Sequence, residues 1–197
     1  MSHFFAFISR LRLIHRWGLM RATQQENDAE HSLQVAMIAH GLALLGRQRF
    51  HREVSPEQVV TMAVYHDASE VVTGDLPTPV KYHSAELRSA YGRLEQEAQQ
   101  TLLRMLPEDM QPGFSPYLQP EGGTYASQLV KAADTLSAYI KCLEEIQAGN
   151  HEFDAAAAAI REKVEGISLP EVKVFMEEFL PSFQLPLDAL TEKGDRA

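Results

Sequence analysis

The sequence predicts an all-α protein, a compact multi-helix bundle, and three observations carry that prediction. Apolar residues recur at three- and four-residue spacing along most of the chain. Helix start and stop signals stand at the ends of those stretches. No segment alternates apolar and polar residues convincingly with a strand's period, and no Asn-Gly hairpin turn occurs. A length of 197 residues suits one domain spanning 1–197.

Taken in order, Ser2 is placed to cap a first helix on which Phe4, Ile8 and Leu11 share a face. A second helix is expected from Asn27 or Asp28 to about Leu45, with Gly46 as its stop. The third has the clearest start: Ser55 as the cap, Pro56 at the first helical position and Gln58 as the capping-box partner. Its apolar run is expected to carry His66 and Asp67 inside the helix and to end by Gly74. Pro77 and Pro79 make residues 75–81 an irregular loop. A polar amphipathic helix follows from about Ala85 to Met105. Prolines 107, 112, 116 and 120 break residues 107–123 into loops with short helical turns. A long helix from Tyr125 to Ala148 ends at Gly149, and two shorter ones, Phe153 to Val164 and Glu171 to Leu180, complete the set.

The charge balance narrows the partners. Lys and Arg number 18 against 27 Asp and Glu, a formal charge of -9, which argues against a nucleic-acid polymer or an anionic membrane surface. A local basic pocket for a small phosphorylated ligand remains compatible with it. No run approaches the roughly 18 apolar residues of a membrane span. Cys142 stands alone, which excludes an internal disulfide and a thiolate metal cage and points to a reducing, cytoplasmic setting. Residues 1–25 hold Arg10, Arg12, Arg16 and Arg21 and no acid, a composition shared with transit peptides.

Chemistry concentrates in a few positions. His66 and Asp67 adjoin each other in an apolar stretch, where unpaired charge is costly. Glu70 lies one helical turn further along the same expected face. Asp134 sits mid-helix between small residues and is a poor helix-interior residue. With His31 these make a two-His, two-Asp set on three helices, suited to Mn, Co, Fe, Zn or Mg with positions open to water and substrate. His40 is nine residues from His31, which at ~100° per residue puts it on the opposite face. His51 and His151 are expected in solvent.

The ordered pattern His31…His66-Asp67…Asp134 resembles the HD-domain superfamily of metal-dependent phosphohydrolases. More narrowly, Arg16-Trp17, Glu30-His31-Ser32, the block from Tyr65 to Glu70 and the block from Gly74 to Lys81 are similar to the bacterial HD-domain 5′-deoxynucleotidases. The similarity runs nearly the whole chain and includes Lys131 to Asp134 and Lys141 to Glu145. It implies an HD-type bundle, one divalent ion of the Co, Mn, Mg or Zn class, and His31, His66, Asp67 and Asp134 as its ligands. The implied reaction removes the 5′-phosphate from a deoxyribonucleoside 5′-monophosphate to leave deoxynucleoside and phosphate.

In that resemblance Glu70 matches the catalytic carboxylate and Asp75 a second catalytic acid. Arg16 matches the phosphate-proximal arginine, and Trp17 the residue associated with preference for a sugar without the 2′-hydroxyl. Lys81 joins them as an expected substrate contact, although a solvated position suits it and Lys131 equally. If Arg16 and Trp17 line the site, the N-terminal segment belongs to the working enzyme and the transit reading fails. The family implies a homodimer. The alternative within the superfamily is a phosphodiesterase or guanosine polyphosphate hydrolase. Sites with two metals recruit extra histidines between the HD pair and the last Asp, and here only His83 lies between them. The same shortage disfavours a di-iron oxygenase, and intact Glu70 and Asp75 disfavour a non-catalytic binding protein.

Overall fold

A computed structural model describes residues 1–81 and 83–191, and among them every regular element is helical. In chain order these are α1 (Phe4–Ile8), α2 (Asp28–Arg49), α3 (Pro56–Val64), α4 (Glu70–Thr73), α5 (Thr78–Lys81) and α6 (Ala85–Arg104). Then come α7 (Gln111–Leu118), α8 (Tyr125–Gln147), α9 (Asp154–Glu165), α10 (Pro170–Glu178) and α11 (Leu187–Thr191). The all-α expectation holds; one isolated antiparallel bridge joins His15 to Asn27.

The two long helices, α2 and α8, pack on each other and on α3. Val35, Ala39, Leu42, Val59, Leu129 and Leu136 fill the space between them and are fully buried. Each of these valine and leucine side chains stabilises the fold by ~1.5–3 kcal/mol. Capping follows the sequence closely here. Asn27 accepts hydrogen bonds from the backbone N–H groups of Ala29 and Glu30, Ser55 from that of Gln58, and Thr124 from that of Ser127. At the N-terminus, by contrast, His3 rather than Ser2 precedes α1, because the Ser2 hydroxyl donates to the Met105 carbonyl oxygen at 2.7 Å.

Gly46 does not stop α2, which runs on to Arg49. Its small size serves packing instead: a Cβ there would collide with the Tyr125 hydroxyl, which donates to the buried Glu171 carboxylate at 2.6 Å. Gly46→Ala is therefore expected to lower stability by ~1–3 kcal/mol, read as the urea midpoint. An unchanged midpoint would mean that Tyr125 moves aside without cost.

The larger correction concerns the third helix. It ends at Val64, and residues 65–69 form a tighter turn before α4 restarts at Glu70. Tyr65, His66 and Ala68 each donate their N–H to a carbonyl three residues back rather than four. The apolar pattern gave no sign of the break, because Tyr65 and Ala68 stay apolar but face a different core. That second core holds Phe4, Ala68, Leu102, Leu106 and Leu118, with Phe114 edge-on to Phe4 at 5.2 Å and to Tyr65 at 5.7 Å. Packing of α1 and α7 against the turn thus fixes the residues on either side of His66-Asp67. Two smaller differences occur in the proline-rich stretches. Residues 78–81 make one helical turn because Pro79 falls where no N–H is required. Residues 111–118 form α7 with Pro112 in its first turn.

Candidate active site

The turn after α3, the start of α2 and the middle of α8 meet at one place. His31 is buried behind the Asn27 cap, with Nε2 3.0 Å from Asp134 Oδ1 and 3.8 Å from Asp67 Oδ2. His66 lies 5.4 Å from His31, ring centre to ring centre. Its Nδ1–H donates to the Ala63 carbonyl oxygen at 2.7 Å, which leaves the Nε2 lone pair directed elsewhere. His66 Nε2 is buried with no hydrogen bond, although Asp67 Oδ2 is 3.0 Å away. One ligand atom each from His31, His66 and Asp134 fall within 4.8 Å of one another. Two imidazoles and two carboxylates converging round an orphaned nitrogen fit a borderline divalent ion. The Asp134 side chain is 40 % exposed, so the cluster opens on that side.

The charges around this cluster are strongly coupled. Burial alone would lower His66, but the adjoining Asp67 more than offsets that and lifts it to about 9. Burial works to raise Asp67, and His66, Arg16 and His31 together hold it well below the usual carboxylate range. The carboxylates that draw a proton onto His66 would equally draw a cation to the cluster.

Glu70 is buried at the start of α4, with Oε2 lacking a hydrogen-bond donor. Burial, then the nearby charges of Asp67, Asp28 and Asp75, push it up to about 11. Asp28 is wholly buried beside it and is raised by burial to about 6. Burial also raises Asp75. That residue follows Gly74, whose φ of 71° and ψ of 163° form a backbone region open essentially to glycine. The Tyr91 hydroxyl holds the Gly74 carbonyl oxygen at 3.2 Å, so the chain leaves α4 in a fixed direction.

Arg16 donates through Nη1 to Asp67 Oδ2 at 3.3 Å and lies 3.8 Å from Asp28 Oδ1. Asp67, Asp134, Glu26 and Asp75 raise its pKa against the opposing effect of burial. Trp17 packs against Phe153 at 5.3 Å and donates its indole N–H to Glu26 Oε2 at 2.7 Å. Lys81 donates to Glu95 at 2.7 Å and stands 4.6 Å over the Tyr91 ring, with its charge still felt at Asp75. His40, His51, His151 and Lys131 are exposed, in keeping with the solvated reading.

Three residues of this neighbourhood escaped sequence reasoning: Glu26, Asp28 and Ser137. Glu26 and Asp28 belong to the polar run 24–28 before α2, where acids read as ordinary helix-start residues. Ser137 lies 3.3 Å from His31 Nδ1 and one turn beyond Asp134; its place on the same face of α8 was the available signal.

A family model described as YfbR-like 5′-deoxynucleotidase matches residues 3–183. A 5′-deoxynucleotidase of Erwinia tasmaniensis is 50 % identical over 194 residues, covering 98 % of each chain. One of Vibrio parahaemolyticus is 48 % identical over 191 residues, covering 96 % of this chain and 98 % of the relative. Among solved structures, an HD-domain phosphohydrolase from Listeria innocua superposes with a TM-score of 0.78 at 29 % identity, over 98 % of this chain and 90 % of the other. The cyanophage S-2L HD phosphohydrolase DatZ, bound to dA and one catalytic Zn²⁺, superposes with a TM-score of 0.64 over 91 % of this chain and 95 % of its own. At 24 % identity, that likeness is one of fold. With residues 3–183 matched and relatives near half-identical along the whole length, the chain belongs to the YfbR-like 5′-deoxynucleotidase family.

Proposed function

We propose that this enzyme, a 5′-deoxynucleotidase, removes the 5′-phosphate of deoxyribonucleoside 5′-monophosphates at the His31, His66, Asp67 and Asp134 cluster, and that these four residues hold one divalent ion. The observation that carries the reading is the buried, unbonded His66 Nε2, which faces the carboxylate of Asp67 on its own turn and shares a ligand cluster with Asp134 of α8. A divalent ion bound there supplies a water of lowered pKa and polarises a phosphoryl oxygen.

The chain's own groups do the rest. Glu70, buried one turn past His66-Asp67, accepts the proton of an attacking water as the general base. Asp75, raised by burial, donates its own proton to the departing 5′-oxygen, so that Glu70 ends protonated and Asp75 ionised until the two exchange protons with solvent. Arg16 offers its planar fork to the phosphate oxygens as charge develops on them. Trp17 supplies apolar surface beside the sugar, where a 2′-hydroxyl would find no partner. Such a wall discriminates by ~10²-fold rather than absolutely. Lys81, held near Asp75 by Glu95 and Tyr91, adds positive charge at the rim.

The reading includes a cytoplasmic enzyme that acts as a homodimer. Among the described residues no helix is long and apolar enough to cross a membrane. Leu33 and Met37, one turn apart on α2, are exposed at 60 % and 61 %, which supports a paired face. Light scattering should give twice the 22.1 kDa chain mass, and a monomer mass would remove the dimer. The reaction itself is tested by phosphate release from dAMP, AMP and a cyclic nucleotide, with chelated protein resupplied in turn with Co²⁺, Mn²⁺, Mg²⁺ and Zn²⁺. Metal-dependent release from dAMP well above AMP is expected. Activity on the cyclic compound alone would move the site to the phosphodiesterase class.

A further inference from the structure

We propose that Glu26 is a positioning residue whose single carboxylate sets both the Trp17 indole and the His31 ring, and so ties sugar discrimination to metal binding. The proposal rests on the reading of Trp17 as the sugar wall and of His31 as a ligand.

The geometry is specific. Glu26 is 12 % exposed and its two oxygens part company. Oε2 accepts the Trp17 indole N–H at 2.7 Å and lies 3.7 Å from Arg16 Nε, while Oε1 lies 3.4 Å from His31 Nδ1. The backbone of the same residue accepts the Arg16 N–H at 3.0 Å. Glu26 therefore touches three residues of the site through three different oxygens.

Trp17 needs such an anchor. Its φ is 59°, a left-handed conformation that disfavours any side chain with a Cβ and persists only where surroundings enforce it. Met20 N–H holds the Trp17 carbonyl oxygen at 2.8 Å, and Phe153 meets the ring on one side. Neither contact fixes the indole's rotation; the bond to Glu26 does.

His31 is set by the same group. The Ser137 hydroxyl donates to Gln34 Oε1 at 2.6 Å, so its oxygen faces His31 Nδ1 as an acceptor at 3.3 Å. With Glu26 Oε1 on the other side, Nδ1 is the ring nitrogen that carries hydrogen. Nε2 then presents its lone pair toward Asp134 and Asp67, the arrangement a metal-bound histidine requires.

The two branches separate in Glu26→Ala and Glu26→Gln. The glutamine carbonyl still accepts from the indole, but its amide donates toward Nδ1 and reverses the imbalance that favours Nε2 as a ligand. Trp17 is the one tryptophan, so intrinsic fluorescence reports its bond directly. Glu26→Ala should shift the emission, lower the dAMP to AMP ratio in kcat/KM toward that of Trp17→Ala, and weaken Mn²⁺ affinity by ~10–100-fold in calorimetry. Glu26→Gln should keep the emission and the ratio while losing Mn²⁺ affinity alike. Native emission and ratio in Glu26→Ala, or native Mn²⁺ affinity in Glu26→Gln, overturns the proposal. If Glu26→Ala does not fold, the split within Glu26→Gln decides alone. Should Trp17→Ala leave the ratio unchanged, the sugar-wall reading fails, while emission and Mn²⁺ affinity still judge Glu26.

Discussion

Replacing Glu70 by alanine is expected to lower kcat by ~10²–10⁴-fold, the range lost with a general acid or base, while Mn²⁺ still binds. The expectation rests on where Glu70 lies: buried, one turn past His66-Asp67, with its carboxyl group against Asp28. Its neighbours make a second readout available. Glu70 is crowded by Asp67, Asp28 and Asp75, which destabilise its charged form. With its charged form disfavoured, Glu70 makes no ion pair that its loss would break, so the variant should melt close to the parent. A large drop in melting temperature would show that Glu70 holds the fold together, and loss of Mn²⁺ binding would place it among the ligands. Native kcat would remove it from the reaction.

Arg16→Ala is expected to cost ~10²–10³-fold in kcat, as for loss of a donor that meets developing charge, and to raise KM as well. On the role proposed for it, the guanidinium would hold phosphate before and during the reaction, so both parameters should move. Arg16→Lys should not restore the rate, since an ammonium cannot reproduce the fork. The cost has a further origin in this chain. Arg16 lies 3.3 Å from Asp67 and 3.8 Å from Asp28, so its loss strips both carboxylates of their nearest permanent cation. Steady-state kinetics with dAMP checks the prediction, and normal constants would take Arg16 out of the site.

Much of this was legible in the sequence because local signals and tertiary structure agree. Asn27, Ser55, Ser84 and Thr124 cap their helices with side-chain hydrogen bonds. The starts of α2, α3, α6 and α8 follow from them. The candidate cluster was picked out for another reason: His and Asp are costly inside apolar segments, so their presence there needed an explanation. What was illegible depended on partners distant in sequence. Gly46 looks like a helix stop until Tyr125 is brought against it. At the break after Val64, Tyr65 and Ala68 turn to meet Phe4 and Phe114, partners far away in the sequence. Glu26 in a polar run looks like any solvated acid, and only the fold shows that Trp17, Arg16 and His31 enclose it.

His31 and Asp134, whose side chains touch, stand 103 positions apart in the chain. During synthesis His31, His66 and Asp67 leave the ribosome well before the helix that brings Asp134. On the proposed ligand set, a chain that ends before that helix lacks Asp134, and its site is incomplete. The helix that closes the core against α2 is thus also the one that would complete the proposed site, so assembly of the core and of the site would be one event.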